Sequence, residues 1–128
     1  MSKQNSKPTE AELEILSILW QRDAATVREV HEILNSRKPT VYTTVLKTLQ
    51  IMTEKELVER DVTDRAHVYR AKIEQAATER RFTEDLLQRV FGGSASQLVM
   101  RVLETKPASE DELSAIRRML DEAERRAE

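Results

Sequence analysis

The sequence predicts a mainly α-helical chain with one small β-hairpin, and three observations carry that expectation. Helix-start patterns of the form Thr/Ser-x-x-Glu occur at Thr9, Thr26 and Ser109. The hydrophobic period changes from helical spacing to two after Lys55 and becomes helical again from Ile73. Glycine occurs only at Gly92 and Gly93, and the aromatics are limited to Trp20, Tyr42, Tyr69, Phe82 and Phe91, a balance that suits a soluble, mostly helical protein.

The first helix is expected over Glu10 to Gln21. Thr9 can accept a free backbone amide while Glu12 reaches back, and Leu13, Leu16 and Trp20, with Ile15 and Leu19 beside them, form an apolar stripe. Arg22 to Ala25 is a short connection. A second helix follows the Thr26 cap from Val27 to about Asn35, with Val27, Val30, Ile33 and Leu34 at helical spacing. Asn35-Ser36-Arg37 breaks that pattern, and Pro39 suits the first turn of a third helix, where its missing amide costs nothing.

In the third helix Tyr42, Val45, Leu46, Leu49 and Met52 share the face expected to be buried. Thr40, Thr44, Lys47 and Ile51 occupy the opposite face, flanked by Thr43 and Thr48. After Lys55, Leu57, Glu59 and Asp61 alternate with Val58, Arg60 and Val62, and His67, Tyr69 and Ala71 alternate with Val68, Arg70 and Lys72. With the polar turn Thr63-Asp64-Arg65-Ala66 between them, these runs predict a hairpin. A long helix from Ile73, carrying Ala77, Phe82, Leu86, Leu87, Val90 and Phe91, should stop at Gly92-Gly93. Another spans Ser96 to Glu104, and the last opens at Ser109 with Leu113, Ile116, Leu120 and Ala123 on its apolar side.

A chain of 128 residues accommodates one domain plus an appendage. The expected division is a flexible N-terminus over residues 1–8, a folded unit over 9–72 and a helical region over 73–128. Three short helices followed by a hairpin is the layout of a winged helix-turn-helix, whose third helix enters the DNA major groove. That layout explains an otherwise awkward choice, since threonine lowers helix propensity yet recurs along the third helix. Its short side chain lets the helix approach base edges, its hydroxyl donates or accepts, and its methyl can meet a thymine methyl. Solvated threonines on an ordinary surface helix would show the same pattern. The hairpin favours DNA, because it presents Arg65 at its turn, with Arg60 and Arg70 on its strands, within reach of phosphates or the minor groove.

Charge distribution agrees. The net charge is −2, but Arg37 to Lys72 holds eight basic against five acidic side chains, while Ile73 to Glu128 holds nine against twelve. The apolar residues of the C-terminal region, Phe82, Leu86, Val90, Phe91, Leu98, Val102, Leu103, Leu113, Ile116 and Leu120, form stripes with too little chain to cover them. A second copy of the chain would cover them and space two recognition helices about one DNA turn apart. A compact monomer with these helices folded back is the alternative.

Several chemistries find no support. Cysteine is absent, which excludes disulfides and thiolate sites. His31 and His67 have no partner at metal-ligand spacing, so neither a metal nor another cofactor is expected. The acidic runs Glu110-Asp111-Glu112 and Asp121-Glu122 sit at a helix start or on a polar face, and no serine has a neighbouring base or glycine-rich elbow, so no catalytic residue is expected and the chain is not read as an enzyme. No apolar run approaches the ~20 residues of a membrane span and no secretion signal is visible, which places the expected site of action in the cytoplasm. A helical protein-interaction adaptor that does not bind DNA is the alternative function.

The stretches AELEILSILWQRDAATVREVHEIL (Ala11 to Leu34) and TVYTTVLKTLQIMTEKELVERD (Thr40 to Asp61), and Gly92-Gly93 followed by LVMRVLE, resemble the penicillinase repressor (BlaI/MecI) family. The resemblance implies a homodimeric transcriptional repressor of β-lactam-resistance-type genes, with a winged helix on palindromic operator DNA and a C-terminal dimerisation arm. By position it implies that Thr43, Thr44, Lys47 and Thr48 face bases and phosphates, and that Arg65 lies on the wing. Members of the family are released when a membrane-bound sensor protease leads to cleavage of an Asn-Phe bond in the arm. No Asn-Phe occurs here, and the matching position is Arg101-Val102. The family usually has glycine where this chain has Glu56, and a copper-responsive branch ends in a cysteine cluster that this chain lacks.

Overall fold

Local capping chemistry fixes where the N-terminal helices begin. In a computed structural model, which describes residues 7–63 and 65–128, α1 spans Glu10–Arg22 and α2 spans Val27–Arg37. Both start with complete capping boxes: Thr9 accepts from the Glu12 amide and Glu12 from the Thr9 amide, and Thr26 and Glu29 repeat the exchange. Residues 1–6 of the expected flexible N-terminus lie outside the described residues, as does Asp64 of the expected turn; Pro8 is buried.

The third helix, α3, spans Tyr42–Glu54, so it begins after Pro39 rather than around it. Side chains of α2 hold Thr40 out of the helix. Its amide donates to Asn35 Oδ1 at 2.9 Å, and its carbonyl accepts from His31 Nε2 at 2.7 Å. The late start also corrects the expectation for Tyr42. It is 44% exposed, at the helix end beyond the core, and stands edge-on to the His31 ring.

Val58–Asp61 (β2) and Val68–Ala71 (β3) form the expected antiparallel hairpin. Ala25–Thr26 (β1) adds a third strand, giving the order β1-β3-β2, where only a connection was expected. Two residues are too few to show a period, and Thr26 serves both this strand and the α2 cap. The core gathers Ile15, Leu16, Ile18 and Leu19 from α1, Val30 and Leu34 from α2, Val45, Leu49 and Met52 from α3, and Leu57, Val58 and Tyr69 from the hairpin. Trp20 lies against it, its indole donating to the Ile73 carbonyl at 3.1 Å.

Glu56 takes the left-handed position that glycine would favour, with φ 63°. The amides of Glu56 and Leu57 bond the carbonyls of Thr53 and Met52, the reciprocal pair of a Schellman ending. Buried Leu57 anchors that turn, and Lys72 Nζ lies 3.4 Å from the Glu56 carboxylate. The strain is therefore accepted, and α3 leads directly into the wing.

The chain divides into two compact units, one extending to Arg81 and the other comprising Phe82–Glu128. Helix α4, Gln75–Arg89, crosses the division and is followed by Gly92 and Gly93, both at positive φ. Helix α5 spans Ala95–Thr105 and is capped by Ser94; α6 spans Glu110–Ala127 and is capped by the Ser109 hydroxyl. Neither α5 nor α6 contains a buried residue. Leu86, Val90, Val102, Leu103 and Leu120 are exposed, as are Val99, Met100 and Met119. Phe82, Phe91, Leu98, Leu113 and Ile116 are half-buried.

Candidate nucleic-acid interface

Burial of Val45, Leu49 and Met52 turns the opposite side of α3 outward. Thr43, Thr44 and Lys47 are exposed there. Gln50 and Ile51 extend the same surface. Thr48 is half-buried and donates its hydroxyl to the Thr44 carbonyl at 2.8 Å, which ties it to the helix backbone. Thr40 precedes the helix, its hydroxyl donating to the Lys38 carbonyl. The structure thus separates the threonines into an outward pair, Thr43 and Thr44, and three, Thr40, Thr48 and Thr53, whose hydroxyls serve the backbone. Val41 offers no side-chain cap at the start of α3, leaving a positive helix end on the exposed surface.

The cations between Arg22 and Lys72 fall into two groups. Arg22, Arg28, Lys55, Arg70 and Lys72 have carboxylate partners in Glu29, Glu32, Glu12, Asp61 and Glu56. Arg37, Lys38, Lys47, Arg60 and Arg65 have no ion-pair partner among the described residues. Cross-strand register explains why Arg60 and Arg70 differ. Arg60 pairs with Tyr69 and so lies on the sheet face turned toward the helices, whereas Glu59 pairs with Arg70 on the outer face. Asp61, also on that outer face, is held below the usual carboxylate pKa by the Thr63 amide and hydroxyl, with Arg70 assisting.

Between α3 and the wing runs a groove of about 470 Å³. Tyr42, Leu46 and Gln50 line it from α3, Arg60, Arg65 and His67 from the hairpin, and Val27 and Arg28 from the first turn of α2. No carboxylate lines it among the described residues. Neither Gln50 nor Arg28 is among the DNA-facing residues expected from the sequence. Gln50 was accessible from spacing, since it follows Lys47 by three residues on the outward face. Arg28 was not, because only the fold brings the start of α2 beside the wing.

One buried ion pair braces the helix that carries this surface. Glu12, 3% exposed, receives Lys55 Nζ at 2.9 and 3.2 Å, joining the first turn of α1 to the C-terminal cap of α3. Burial works to raise the Glu12 pKa, but the Lys55 bond, the Thr9 amide and the Lys55 charge together hold it below the ordinary value. Arg101 and Val102 are both exposed within α5, with Arg101 paired to Glu104 at 2.8 Å and its carbonyl bonded by the Thr105 hydroxyl. No cluster of side chains able to hold a metal ion occurs among the described residues, and no described helix is long and apolar enough to cross a membrane.

Three helices, a three-stranded sheet and an outward-facing third helix define a winged helix-turn-helix protein. The chain matches the penicillinase repressor family over residues 8–122 and belongs to that family, whose members are transcriptional repressors rather than enzymes. It is 44% identical over 45 residues to the transcriptional regulator BlaI of Mycobacterium tuberculosis, a stretch covering 34% of this chain and 33% of that protein. The chain therefore spans about a third of the length of the curated relatives it matches. Among solved structures it is similar to the DNA-binding domain of the repressor BlaI, with a TM-score of 0.50 and 21% identity over 55% of this chain and 85% of that one. It is also similar to a mutant MarR from E. coli complexed with operator DNA, with a TM-score of 0.54 and 16% identity over 95% and 79%. RosR from H. salinarum gives a TM-score of 0.50 and 16% identity over 91% and 93%. These structural likenesses establish the fold.

Proposed function

We propose that the protein is a homodimeric transcriptional repressor that binds palindromic operator DNA through α3 and the wing, acting in the cytoplasm on genes of the β-lactam-resistance type. The observation that carries this reading is the outward face of α3, where exposed Thr43 and Thr44 stand beside Lys47, a cation without a carboxylate partner among the described residues. Family membership supports the same reading. Thr43 and Thr44 contact base edges, Lys47 contacts phosphate, Thr40 and Thr48 lie at the margins of the contact, and Arg65 on the wing reaches the minor groove or its phosphates. The exposed apolar stripes of Phe82–Glu128, with Leu86, Val90, Val102 and Leu120 among them, are covered by the same stripes of a second copy.

Release involves the arm, and Arg101-Val102 is the bond proposed for a sensor-linked protease. Both residues lie inside α5, so cleavage requires that helix to open locally before an extended segment is available. Hydroxyl-radical footprinting on DNA selected by the protein tests the reading as a whole. Two protected half-sites, separated by one helical turn or a multiple of it, are expected. Protection of a single site, or uniform protection without boundaries, would refute the paired-helix arrangement. Within the footprint, Lys47→Ala should weaken binding to every sequence, whereas substitutions at Thr43 or Thr44 should change base preference by about 1 to 3 kcal/mol per base pair read.

A further inference from the structure

A helix lying in the major groove and a hairpin turn reaching the neighbouring minor groove must straddle the sugar-phosphate strand that separates the two. The space available for that strand is the groove between α3 and the wing. Its polar lining includes side chains able to donate to an anion: Arg28, Arg60, Arg65 and His67, with Gln50 and Tyr42 from α3 and Thr26 and Tyr69 beside them. The hollow on the outer side of the hairpin, which Arg60 also lines, differs in charge, since Glu59 and Asp61 contribute two carboxylates to it and Arg70 is already paired with Asp61 there. A phosphate would be repelled from the outer hollow and attracted to the inner groove.

Resting on the DNA-binding reading above, we infer that this inner groove seats one backbone strand and that Arg28 and Arg60 are phosphate-holding residues of the interface. Arg60 has no carboxylate partner among the described residues, and its register opposite Tyr69 puts it on the helix-facing side of the sheet. Arg28 sits in the first turn of α2 and among the described residues pairs only with Glu32, four residues on and largely exposed, at 3.2 Å. Such a solvent-screened pair exchanges readily for a phosphate. Helix α2 and the wing would then hold the same strand from two sides, fixing how deeply α3 sits in the major groove.

The test uses the full chain and a DNA duplex selected by it, with a shuffled duplex beside it, across a salt series. Arg28→Gln and Arg60→Gln should each lower the slope of log affinity against log salt by about 0.9, the value for one phosphate that is no longer neutralised. Each should weaken both duplexes severalfold and leave the preferred sequence unchanged. Arg70→Gln, on the outer face, should leave the slope at its wild-type value. Arg28 and Arg60 are exposed and Arg70 is half-buried, and matching thermal melts will show that the variants fold. Wild-type slopes for both Arg28→Gln and Arg60→Gln, with Lys47→Ala still lowering it, would overturn the groove assignment while leaving DNA binding intact. Failure of the wild-type chain to bind either duplex would instead overturn the DNA-binding reading.

Discussion

The helices of the winged unit and those of the C-terminal unit show equally clear hydrophobic spacing but opposite burial. Leu16, Val30, Leu49 and Met52 have essentially no exposed surface, whereas α5 and α6 bury no residue although both divide cleanly into an apolar and a polar face. The difference lies in what each stripe meets. In the winged unit three helices and a sheet converge on one core, so each apolar face is covered within the chain. In Phe82–Glu128 the apolar side chains exceed what that short segment can cover, and a second chain is the covering proposed here. Periodicity states that a face needs burial; it does not state which chain provides it.

The largest effect should come from breaking the proposed cover. Leu86→Asp combined with Val90→Asp should sediment as a monomer and lose at least about a hundredfold in operator affinity, because the two half-sites are no longer bound by linked modules. A double mutant that remains dimeric would place the interface elsewhere. Next comes the internal core: Leu16→Ala should cost about 3 kcal/mol in chemical denaturation, and by the same amount at every protein concentration. Leu120→Ala sharpens the contrast, since its cost should shrink toward zero as the protein is diluted below the dimer dissociation range, where no partner covers the side chain in either protein.

Smaller effects test how α3 is braced. Glu12→Gln should destabilise the winged unit by about 1–2 kcal/mol at neutral pH, as measured by urea melts. The folded-state pKa of Glu12 is lowered, so its contribution is fully present above the unfolded value near 4.5 and is lost as pH falls through the lower folded value. Wild type should therefore lose stability below about pH 4.5 more steeply than Glu12→Gln. A parallel decline of the two would remove Glu12 from the acid response. The smallest change, Glu56→Gly, should raise stability by about 0.5–1 kcal/mol by relieving the positive φ, with little cost from giving up the exposed Lys72 pair.

Much of the fold was legible because its signals are local. The Thr9, Thr26 and Ser109 caps sit where the sequence places them, Gly92-Gly93 ends α4, and the change of period marks the hairpin. What was not legible depends on partners distant in sequence. The late start of α3 follows from His31 and Asn35 reaching the Thr40 backbone, and β1 forms because β3 passes beside Ala25. At the interface, the outward position of Thr43, Thr44 and Lys47 followed from helical spacing. The inner groove did not, because Arg28, Gln50 and Arg60 meet only after α2, α3 and the hairpin assemble. Ion pairing was equally hidden: nothing in the sequence distinguishes Arg60 from Arg70 until the strand register assigns them opposite faces.

The central claim is that the outward α3 face, with Thr43, Thr44 and Lys47, reads specific DNA. Fluorescence anisotropy of the full chain against its best sequence from a random-duplex selection, beside a shuffled duplex and across a salt series, tests it most directly. Binding to the selected duplex about a thousandfold tighter than to the shuffled one, with affinity falling steeply as salt rises, is the predicted result. Selection that enriches no sequence, with equal and weak binding to both duplexes, would contradict it.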